Sequence, residues 1–392
     1  MPTIALDAMG GDHGVVPAVQ AAARISLDRE AAVVLVGDRR AIDDALRRSR
    51  YDAAFLSVHH ASEAVTMHDA PREALDGKPD ASILVGARLV AEGKADALVS
   101  AGNTGASILA CARHFGKLPG VPRTALAAVY PTERRRGSTD DPFALMLDVG
   151  ATLNADAETL VAFAHMGAAY ASRISKNPRP RVALLSNGGE PHKGTAAIVE
   201  AHRRLAGDDK LDFIGNIEGV DLPRGRADVV VTDGFTGNVV LKMLEGISET
   251  VVDIARYAYR SKLAWRLGLV MLRGGITQLK QLTDWQQYGG APILGFDRPF
   301  IKAHGRSNAR ALGNAIKVAH KAVRSDLCAE IATRLRASHG GGGMSESGAP
   351  SRAQRSRPLE GDGPERGGGR TPDDVAERPP AGRRSEHGAG ER

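Results

Sequence analysis

The chain has 392 residues, enough for one large domain or two, and its 42% apolar and 25% charged residues are typical of a soluble globular protein. Aromatic residues are only 4%, which argues against a nucleic-acid stacking platform, and the net charge of +6 suits phosphate, an acidic protein or anionic lipid. Two cysteines, no signal-peptide pattern and no long uncharged run together predict a cytoplasmic protein without disulfides or membrane spans.

Short apolar runs alternate with helical patterns along the chain, which predicts a Rossmann-like, open and mostly parallel α/β sheet with helices on both faces. Helices are predicted from about residue 17, over 81–92, up to 113, over about 156–172, up to about 205 and over about 310–336. The predicted strands are Thr3–Leu6, Ala32–Gly37, Phe55–Val58, Ala97–Ser100, Leu126–Tyr130, Phe143–Val149, Arg181–Asn187, Leu211–Gly215, Val229–Thr232 and a last strand beginning at Phe300–Ile301.

Three segments depart from this alternation. Residues 132–141 are rich in charge and are predicted to form an exposed hairpin or loop. Helical patterning continues after residue 245, and Gly268 with Gly274 and Gly275 predicts a helical hairpin over about 247–283, followed by an irregular stretch from 284 to 300. Residues 338–392 have almost no large apolar side chain and are predicted to be a disordered tail, which leaves residues 1–337 as the α/β domain.

The stretch from 228 to 245 combines a buried strand, a glycine turn and a helix. The strand is followed by Asp233–Gly237, and Asn238 stands where a helix N-cap is expected. The first N–H groups of a helix have no internal acceptor, the helix dipole favours negative charge, and glycine lets an oxygen approach the backbone. The pattern leaves two interpretations open, an anion site or an ordinary strand-to-helix turn.

Similar glycine turns with polar side chains follow other predicted strands. In open α/β sheets ligands bind beyond the carboxyl ends of the strands, so these turns can converge on one cleft suited to a phosphate-bearing reaction. Neither G-x-G-x-x-G after a strand nor G-x-x-x-x-G-K-[ST] occurs, which argues against nucleotide chemistry. The turns span residues 7–14, 100–106, 186–194 and 233–238, with a fifth at 304–307.

Covalent and metal chemistry are weakly supported by the sequence. Cys111 and Cys328 fall in predicted helices and are interpreted as small core residues, and no G-x-S-x-G elbow occurs. His59, His60 and His68 lack metal-ligand spacing and are interpreted as surface histidines. We therefore expect no metal and no cofactor, and direct attack by a bound nucleophile.

Seven motifs in unbroken order, spread from residue 3 to about 325, resemble the bacterial acyl-[acyl carrier protein]:phosphate acyltransferase family, usually called PlsX. The resemblance implies a fold related to phosphotransacetylases and isocitrate-dehydrogenase-like enzymes, and a homodimer. It also implies a reaction that joins the fatty acyl group of acyl-[acyl carrier protein] to inorganic phosphate, giving acyl phosphate for phosphatidic acid synthesis. The motifs lie at 7–12, 100–106, 147–151, 187–194, 232–246, 288–292 and 302–311.

The chain departs from the family pattern at a few positions. Thr152 and Thr195 stand where the family usually has Asn, and Asn308 stands where it has Asp. The arginine-rich loop at 133–141 looks inserted and the tail is additional. These departures weaken any catalytic role for Thr152 or Asn308.

The reaction implied by the resemblance requires a phosphate dianion beside a thioester, a stabilised oxyanion and exclusion of water. Lys193 is the expected cation and His304 the expected proton donor to the leaving thiolate. Asn103 is expected to add hydrogen-bond donors, and Asp233 to orient the donors. The alternative for Lys193 is a solvated loop lysine, and the alternative for His304 is a structural role. The expected phosphate-binding residues, chiefly through backbone N–H groups, are Gly10, Gly11, Gly102, Thr104, Gly234, Thr236, Gly237 and Asn238.

Basic and apolar residues mix over 247–282, which predicts contact with an anionic membrane surface, with the acyl carrier protein, or with the dimer partner. Because the product is hydrophobic, we expect it to be handed to a membrane-bound glycerol-3-phosphate acyltransferase, with the chain peripherally associated with the inner face of the membrane. The rival classes are a phosphotransacetylase using acyl-CoA, a dehydrogenase on the related fold, and a non-catalytic membrane scaffold. No nucleic-acid partner is expected.

Overall fold

The fold is known from a computed structural model that describes residues 1–133, 143–261, 271 and 290–339. Its strands are β1 Thr3–Asp7, β2 Ala32–Gly37, β3 Leu56–His60, β4 Ala97–Ser100, β5 Ala125–Pro131, β6 Phe143–Leu147, β7 Arg181–Leu185, β8 Asp212–Ile217, β9 Val229–Val231, β10 Ala291–Leu294 and β11 Phe300–Lys302. Its helices are α1 Val15–Asp28, α2 Arg39–Leu46, α3 Pro71–Gly77, α4 Ser82–Ala91, α5 Thr104–His114, α6 Ala157–Arg173, α7 Ala196–Ala206, α8 Gly234–Ser261, α9 Ala309–Arg324 and α10 Leu327–His339.

The strands of the described residues form one sheet in the order β3-β2-β1-β4-β11-β10-β5-β6-β9-β7-β8. Two parallel sets, β3-β2-β1-β4-β11 and β6-β9-β7-β8, are joined through β10 and β5, which make the antiparallel pairings. The predicted open, mostly parallel α/β sheet is therefore confirmed. The antiparallel centre was not predicted.

The core follows from strand periodicity, since successive side chains of a strand point to opposite faces of the sheet. In β1, Ile4 and Leu6 pack into a cluster shared with α1 and α9, while Ala5 packs into a cluster shared with α4 and α5. Phe300 of β11 belongs to the second cluster and Ile301 to the first. Both faces of this half of the sheet are therefore covered, as a parallel sheet requires.

The secondary structure differs from the prediction in four places. Strand β10 lies inside the stretch predicted to be irregular, because its four residues give too little pattern. Helices α2 and α3 were not predicted, and the last helix divides into α9 and α10 at Asp326, whose φ of 52° is left-handed. The predicted N-cap at Asn238 lies inside α8, which begins at Gly234.

Several predictions fall wholly or mainly outside the described residues. These are most of the loop at 132–141, the turn of the hairpin over 247–283 and the tail over 338–392, of which the structure describes only the first residues. Helix α8 runs without interruption from Gly234 to Ser261. The first helix of the predicted hairpin therefore begins at Gly234 and not at about residue 247. Within the described segments, no helix is long and apolar enough to cross a membrane.

Candidate functional site

The first candidate region lies where β1, β4 and β11 end side by side, and we call it the first edge. The parallel register places Asp7 opposite Ser100, and Ser100 opposite Lys302. Laterally aligned residues of parallel strands share a face, so these three side chains form a polar row at the end of otherwise apolar strands. The row lies on the face covered by α4 and α5, to which Phe300 also points.

Asp7 is the acidic member of this row and is almost completely buried. Its carboxylate accepts hydrogen bonds from the hydroxyls of Ser82 (2.6 Å) and Ser100 (2.7 Å) and from the N–H of Met9 (3.2 Å). Hydrogen bonds to an ionised carboxylate are strong and offset its burial. Both carboxylate oxygens are therefore already used within the protein.

Lys302 is the basic member, and sequence reasoning did not single it out. Its side chain is 7% exposed, and its ammonium donates to the carbonyl oxygen of Ala303. Burial lowers the pKa of Lys302 to about 8, while the charges of Asp7 and Asp12 act in the opposite direction. Two sequence signals were available, because Lys302 ends the apolar strand β11 and is the first residue of the motif at 302–311.

The glycines of the first edge let three loops approach one another closely. A Cβ on Gly10 would lie 2.5 Å from Asp7 Oδ2 and 2.7 Å from the Cα of Gly102, so this contact needs glycine. The N–H of Asp12 donates to the carbonyl of Gly305 (2.9 Å). The structure thus brings together three predicted residues, Gly10, Gly11 and Gly102.

Some backbone donors of these loops remain open. Among the residues that the structure describes, the N–H groups of Gly10, Gly11 and Gly305 have no hydrogen-bond acceptor, and neither do those of Thr104 and Gly105 at the start of α5. Unsatisfied N–H groups at a glycine loop and a helix start can bind an anion.

Asn103 and Thr104, both predicted site residues, stand at the start of α5. Asn103 is the N-cap: its side-chain oxygen accepts from the N–H of Ala106 (3.1 Å). Its amide nitrogen donates to the carbonyls of Met67 and Asp69, each at 3.3 Å, and so holds the 67–69 loop. These contacts give Asn103 a structural role, and Thr104 is the first residue of the helix.

His304 follows β11 and lies beside the first edge. Its Nδ1 accepts from the N–H of Arg306 (3.1 Å), an interaction that requires Nδ1 to be unprotonated. Burial, together with the positive charge of Lys242, lowers the pKa of His304, and Glu245 opposes the shift. Since Lys242 and Glu245 belong to α8, this helix passes close to the first edge.

The second candidate region, the second edge, surrounds the start of α8. Asp233 caps this helix: Oδ1 accepts from the N–H of Thr236 (2.8 Å) and Oδ2 from its hydroxyl (2.8 Å). The N–H of Gly234 donates to the carbonyl of Thr152 (2.8 Å), and that of Gly237 to the carbonyl of Asp233 (2.9 Å). The donors expected to bind phosphate here already have protein acceptors.

Asp148 explains why the second edge needs glycine. This fully buried carboxylate accepts four backbone hydrogen bonds. One comes from the N–H of Leu126 (2.8 Å), and three come from the N–H groups of residues 150 (3.1 Å), 151 (3.1 Å) and 152 (2.5 Å) in the following loop. A Cβ on Gly234 would lie 2.6 Å from Asp148 Oδ2, and one on Gly237 would collide with the carbonyl oxygen of Asp148. Burial raises the pKa of Asp148, although its four hydrogen bonds act to lower it.

The remaining predicted residues lie farther along the second half of the sheet. Asn238, inside α8, donates from its amide to the carbonyl of Val149 (2.9 Å) and so ties the helix to the loop after β6. Lys193, in the turn between β7 and α7, is half-buried, and its ammonium has no hydrogen-bond or ion-pair partner within the described part of the chain. The structure does not place Lys193 in contact with the first edge.

The predicted core cysteines and surface histidines can also be located. Cys111 is fully buried in α5, and burial raises its pKa well above the ordinary value, which disfavours a reactive thiolate. His60 and His68 are exposed, and His60 Nδ1 accepts from the N–H of Arg39 (3.3 Å). The positions of Cys111, His60 and His68 agree with the structural interpretation, whereas His59 and Cys328 are partly buried.

The open, mostly parallel sheet with helices on both faces makes the chain an α/β protein. Two solved structures share the fold: a phosphotransacetylase of Streptococcus pyogenes (TM-score 0.55, 18% identity, 82% of this chain and 94% of that one) and one of Staphylococcus aureus (TM-score 0.53, 16% identity, 82% and 94%). At these identities the likeness concerns the fold alone.

Sequence comparison identifies the family. A family model described as "Fatty acid synthesis protein" matches residues 2–330, and the chain belongs to this family. Similar relatives are the phosphate acyltransferases of Myxococcus xanthus (43% identity over 333 residues, 84% of this chain and 92% of the relative) and Geobacter sulfurreducens (40% over 334 residues, 85% and 94%). The resemblance inferred from the seven motifs is confirmed.

Proposed function

We propose that the chain is an acyltransferase that moves a fatty acyl group to inorganic phosphate and releases acyl phosphate. Its relatives named phosphate acyltransferase match it at 37–43% identity over more than four-fifths of its length, and this observation carries the proposal. The open donors of the first edge support it, because a phosphate acceptor needs several N–H groups around its oxygens.

The reaction balances without a further reactant. An oxygen of hydrogen phosphate attacks the thioester carbonyl, the carbon–sulfur bond breaks, and its electron pair leaves on sulfur. Hydrogen phosphate loses one proton on becoming acyl phosphate, and the leaving thiolate takes up one proton to become a thiol. His304 is the proposed carrier of this proton, and its lowered pKa keeps the ring neutral near pH 7. Because Nδ1 accepts from the Arg306 N–H, the ring can take up the proton there only when this hydrogen bond breaks, and its Nε2–H then goes to the thiolate.

Acyl-[acyl carrier protein] is the proposed acyl donor. The family membership supports it, and the net charge of +6 suits an acidic carrier protein. Acyl-CoA is the second candidate, because the solved structures that share the fold include phosphotransacetylases. Handover of acyl phosphate to a membrane-bound glycerol-3-phosphate acyltransferase follows from the hydrophobic product and is part of the proposal.

The roles of individual residues extend the proposal. Lys193 is the proposed cation for phosphate or the oxyanion, and the lack of a partner for its ammonium among the described residues supports this role. Asn103 positions the start of α5, where Thr104 offers an open N–H. Phosphate binding by Gly234, Thr236, Gly237 and Asn238 stays a prediction, and it requires the paired N–H groups to leave their present acceptors.

A homodimer is proposed on the exposed face of α8. Apolar residues recur along this helix at spacings of three or four, so they form one stripe, and each is roughly half exposed or more. An exposed apolar stripe of this length is typical of a protein interface. A second copy of the chain is the proposed occupant, rather than the membrane. The stripe consists of Phe235, Val239, Met243, Ile247, Val251, Ile254 and Tyr257.

The oligomer can be tested by light scattering after size-exclusion chromatography. Met243→Glu, in the middle of the stripe, should convert the dimer to a monomer. Glu249→Gln on the polar side of the same helix is the control and should leave the dimer intact. A monomeric wild-type chain, or a dimer that tolerates Met243→Glu, would contradict the proposal.

The activity is tested by incubating the purified chain with palmitoyl-[acyl carrier protein] and measuring free carrier protein with and without phosphate. Release should require phosphate, and hydroxylamine should trap the acyl phosphate product. Lys193→Ala should abolish release without unfolding the chain, whereas Lys94→Ala, which removes an exposed lysine paired with Glu92, should not. Release from palmitoyl-CoA alone would favour the second candidate, and no release from either donor would contradict the proposed activity.

A further inference from the structure

We propose that the buried ammonium of Lys302 binds an oxygen of the phosphate at the first edge. The inference rests on the proposed function, because that function supplies phosphate as the anion to be bound. It adds to the site a residue that the sequence motifs had not assigned a role.

The position of Lys302 is the first observation. Strand β11 places it level with Ser100, at the carboxyl ends of the parallel strands, where open α/β sheets bind their ligands. Its side chain is 7% exposed, although an ammonium is costly to remove from water unless it is well paired. A binding role explains why a charge is kept at this depth.

The partners of Lys302 are the second observation. A purely structural lysine would be expected to pair with the neighbouring carboxylate, yet Asp7 accepts from Ser82, Ser100 and the Met9 N–H and not from Lys302. Among the described residues, Lys302 forms no ion pair and has one acceptor, the carbonyl of Ala303. An ammonium has three N–H donors, so two remain for a ligand.

The surrounding donors are the third observation. The open N–H groups of Gly10, Gly11 and Gly305 belong to the loops that follow β1 and β11, and those of Thr104 and Gly105 follow β4. Thus all three strands of the Asp7, Ser100 and Lys302 row end in open donors. Several N–H donors around one cation match the oxygens of a tetrahedral anion.

The local charges allow a dianion to enter. Asp7 and Asp12 act on Lys302 from the β1 side, and they alone would repel phosphate. On the other side, around His304, lie Lys242, Glu245 and Arg306, of which Lys242 and Arg306 are positive. These groups and Lys302 together carry three negative and three positive charges, so the edge itself is neutral when Lys302 is protonated.

Protonation of Lys302 gives the inference a pH signature. The lowered pKa of about 8 means that the ammonium loses its proton within an accessible range. Phosphate binding should therefore weaken as pH rises through about 8. The guanidinium of Lys302→Arg stays charged at all these pH values. The phosphate affinity of this variant should therefore not fall as pH rises through about 8.

The test compares wild type, Lys302→Met and Lys302→Arg in full-length protein. Lys302→Met should lower kcat/KM for phosphate by about 10- to 100-fold, mainly through KM, as expected when a charged hydrogen bond to the ligand is removed. Lys317→Met is the matched control, because Lys317 is an exposed lysine on α9 that pairs with Glu30. This substitution should leave kcat/KM unchanged. Calorimetric titration with inorganic phosphate should show the same loss of affinity without turnover.

The outcomes separate this inference from the proposed function. An active wild type whose KM for phosphate is unchanged in Lys302→Met would overturn the inference alone. Absent turnover with phosphate binding that depends on Lys302 would overturn the activity but support the site. Should Lys302→Met fail to fold, the double variant Asp7→Asn/Lys302→Met is compared with Asp7→Asn, so that the effect of removing Asp7 cancels. Equal phosphate affinity in these two folded variants would overturn the inference.

Discussion

The two edges of the sheet look alike in sequence but use their glycines differently. At the second edge, Gly234 and Gly237 let α8 pack against Asp148 and Thr152, and the N–H groups of Gly234, Thr236 and Gly237 have protein acceptors. At the first edge, Gly10 also serves packing, but the N–H groups of Gly10 and Gly11 remain open. A glycine turn before a helix therefore identifies an anion site only when its donors are unpaired.

The largest expected effect breaks the packing at the second edge. Gly237→Ala should destabilise the chain by at least about 3 kcal/mol, because its Cβ would collide with a backbone carbonyl that no side-chain rotation can move. Gly246→Ala is the control in the same helix, since a Cβ there meets no atom within 4 Å. It should stabilise the chain by up to about 1 kcal/mol in urea unfolding. Equal effects would contradict the packing role of Gly237.

The next effect concerns the buried charge at the first edge. The pKa of Lys302 is about 8 in the folded chain, against an ordinary value of 10.5. Between these values the unfolded chain holds a proton that the folded chain has lost, so the free energy of unfolding rises with pH. The full rise is roughly 3 kcal/mol and should be absent from Lys302→Met.

Urea unfolding of both proteins at about pH 7.5 and about pH 10 measures this difference, and other groups that titrate cancel in the comparison. Lys317→Met, at an exposed ion pair, should follow the wild type. If Lys302→Met shows the same pH dependence as the wild type, Lys302 is not a buried ammonium with a lowered pKa.

A smaller effect tests the cap at the second edge. Thr236→Val removes the hydroxyl that donates to Asp233 and should cost about 1 kcal/mol of stability. Because the N–H groups of this turn are already paired, KM for phosphate should stay within about twofold of wild type. A large increase in this KM, with the fold intact, would instead favour the phosphate site predicted from the sequence at 234–238.

The smallest effect is expected at Gly11. A Cβ there would make only ordinary contacts, at 3.5 Å from Ala101 Cβ and the Gly305 carbonyl, so Gly11→Ala should change stability by less than about 1 kcal/mol. The added methyl narrows the space beside the open donors, and KM for phosphate should rise. Thermal unfolding with steady-state kinetics measures both, and a marked loss of stability with normal kinetics would contradict the assignment of Gly11 to the site.

Much of the fold could be predicted because alternation of apolar runs and helices is a local signal. The parallel strands β1, β2, β4 and β9 each carry an uninterrupted apolar run. Strand β10, with four residues and a proline, gives no such signal, and its pairing with β5 and β11 depends on contacts distant in sequence. The break at Asp326 depends on a backbone conformation that a polar helical sequence does not specify.

The site was harder to predict than the fold. The motifs identified the loops that meet at the first edge, but the sequence could not show which N–H groups find protein acceptors. Asn238 appeared to be a helix cap because it follows glycine, yet Asp233 caps α8 and the glycines are helical. Lys302 was missed because its importance comes from its burial beside Asp7, whose carboxylate is hydrogen-bonded to other groups, and only the assembled strands reveal this arrangement.

The most direct test of the account is to locate the bound anion. A crystal of the full-length chain soaked in arsenate, a phosphate analogue that scatters anomalously, would show the position of the arsenic atom. The account predicts an anomalous peak at the first edge, with an arsenate oxygen within hydrogen-bond distance of Lys302 Nζ. A peak at the start of α8, contacted by the N–H groups of residues 234–238 and not by Lys302, would contradict it.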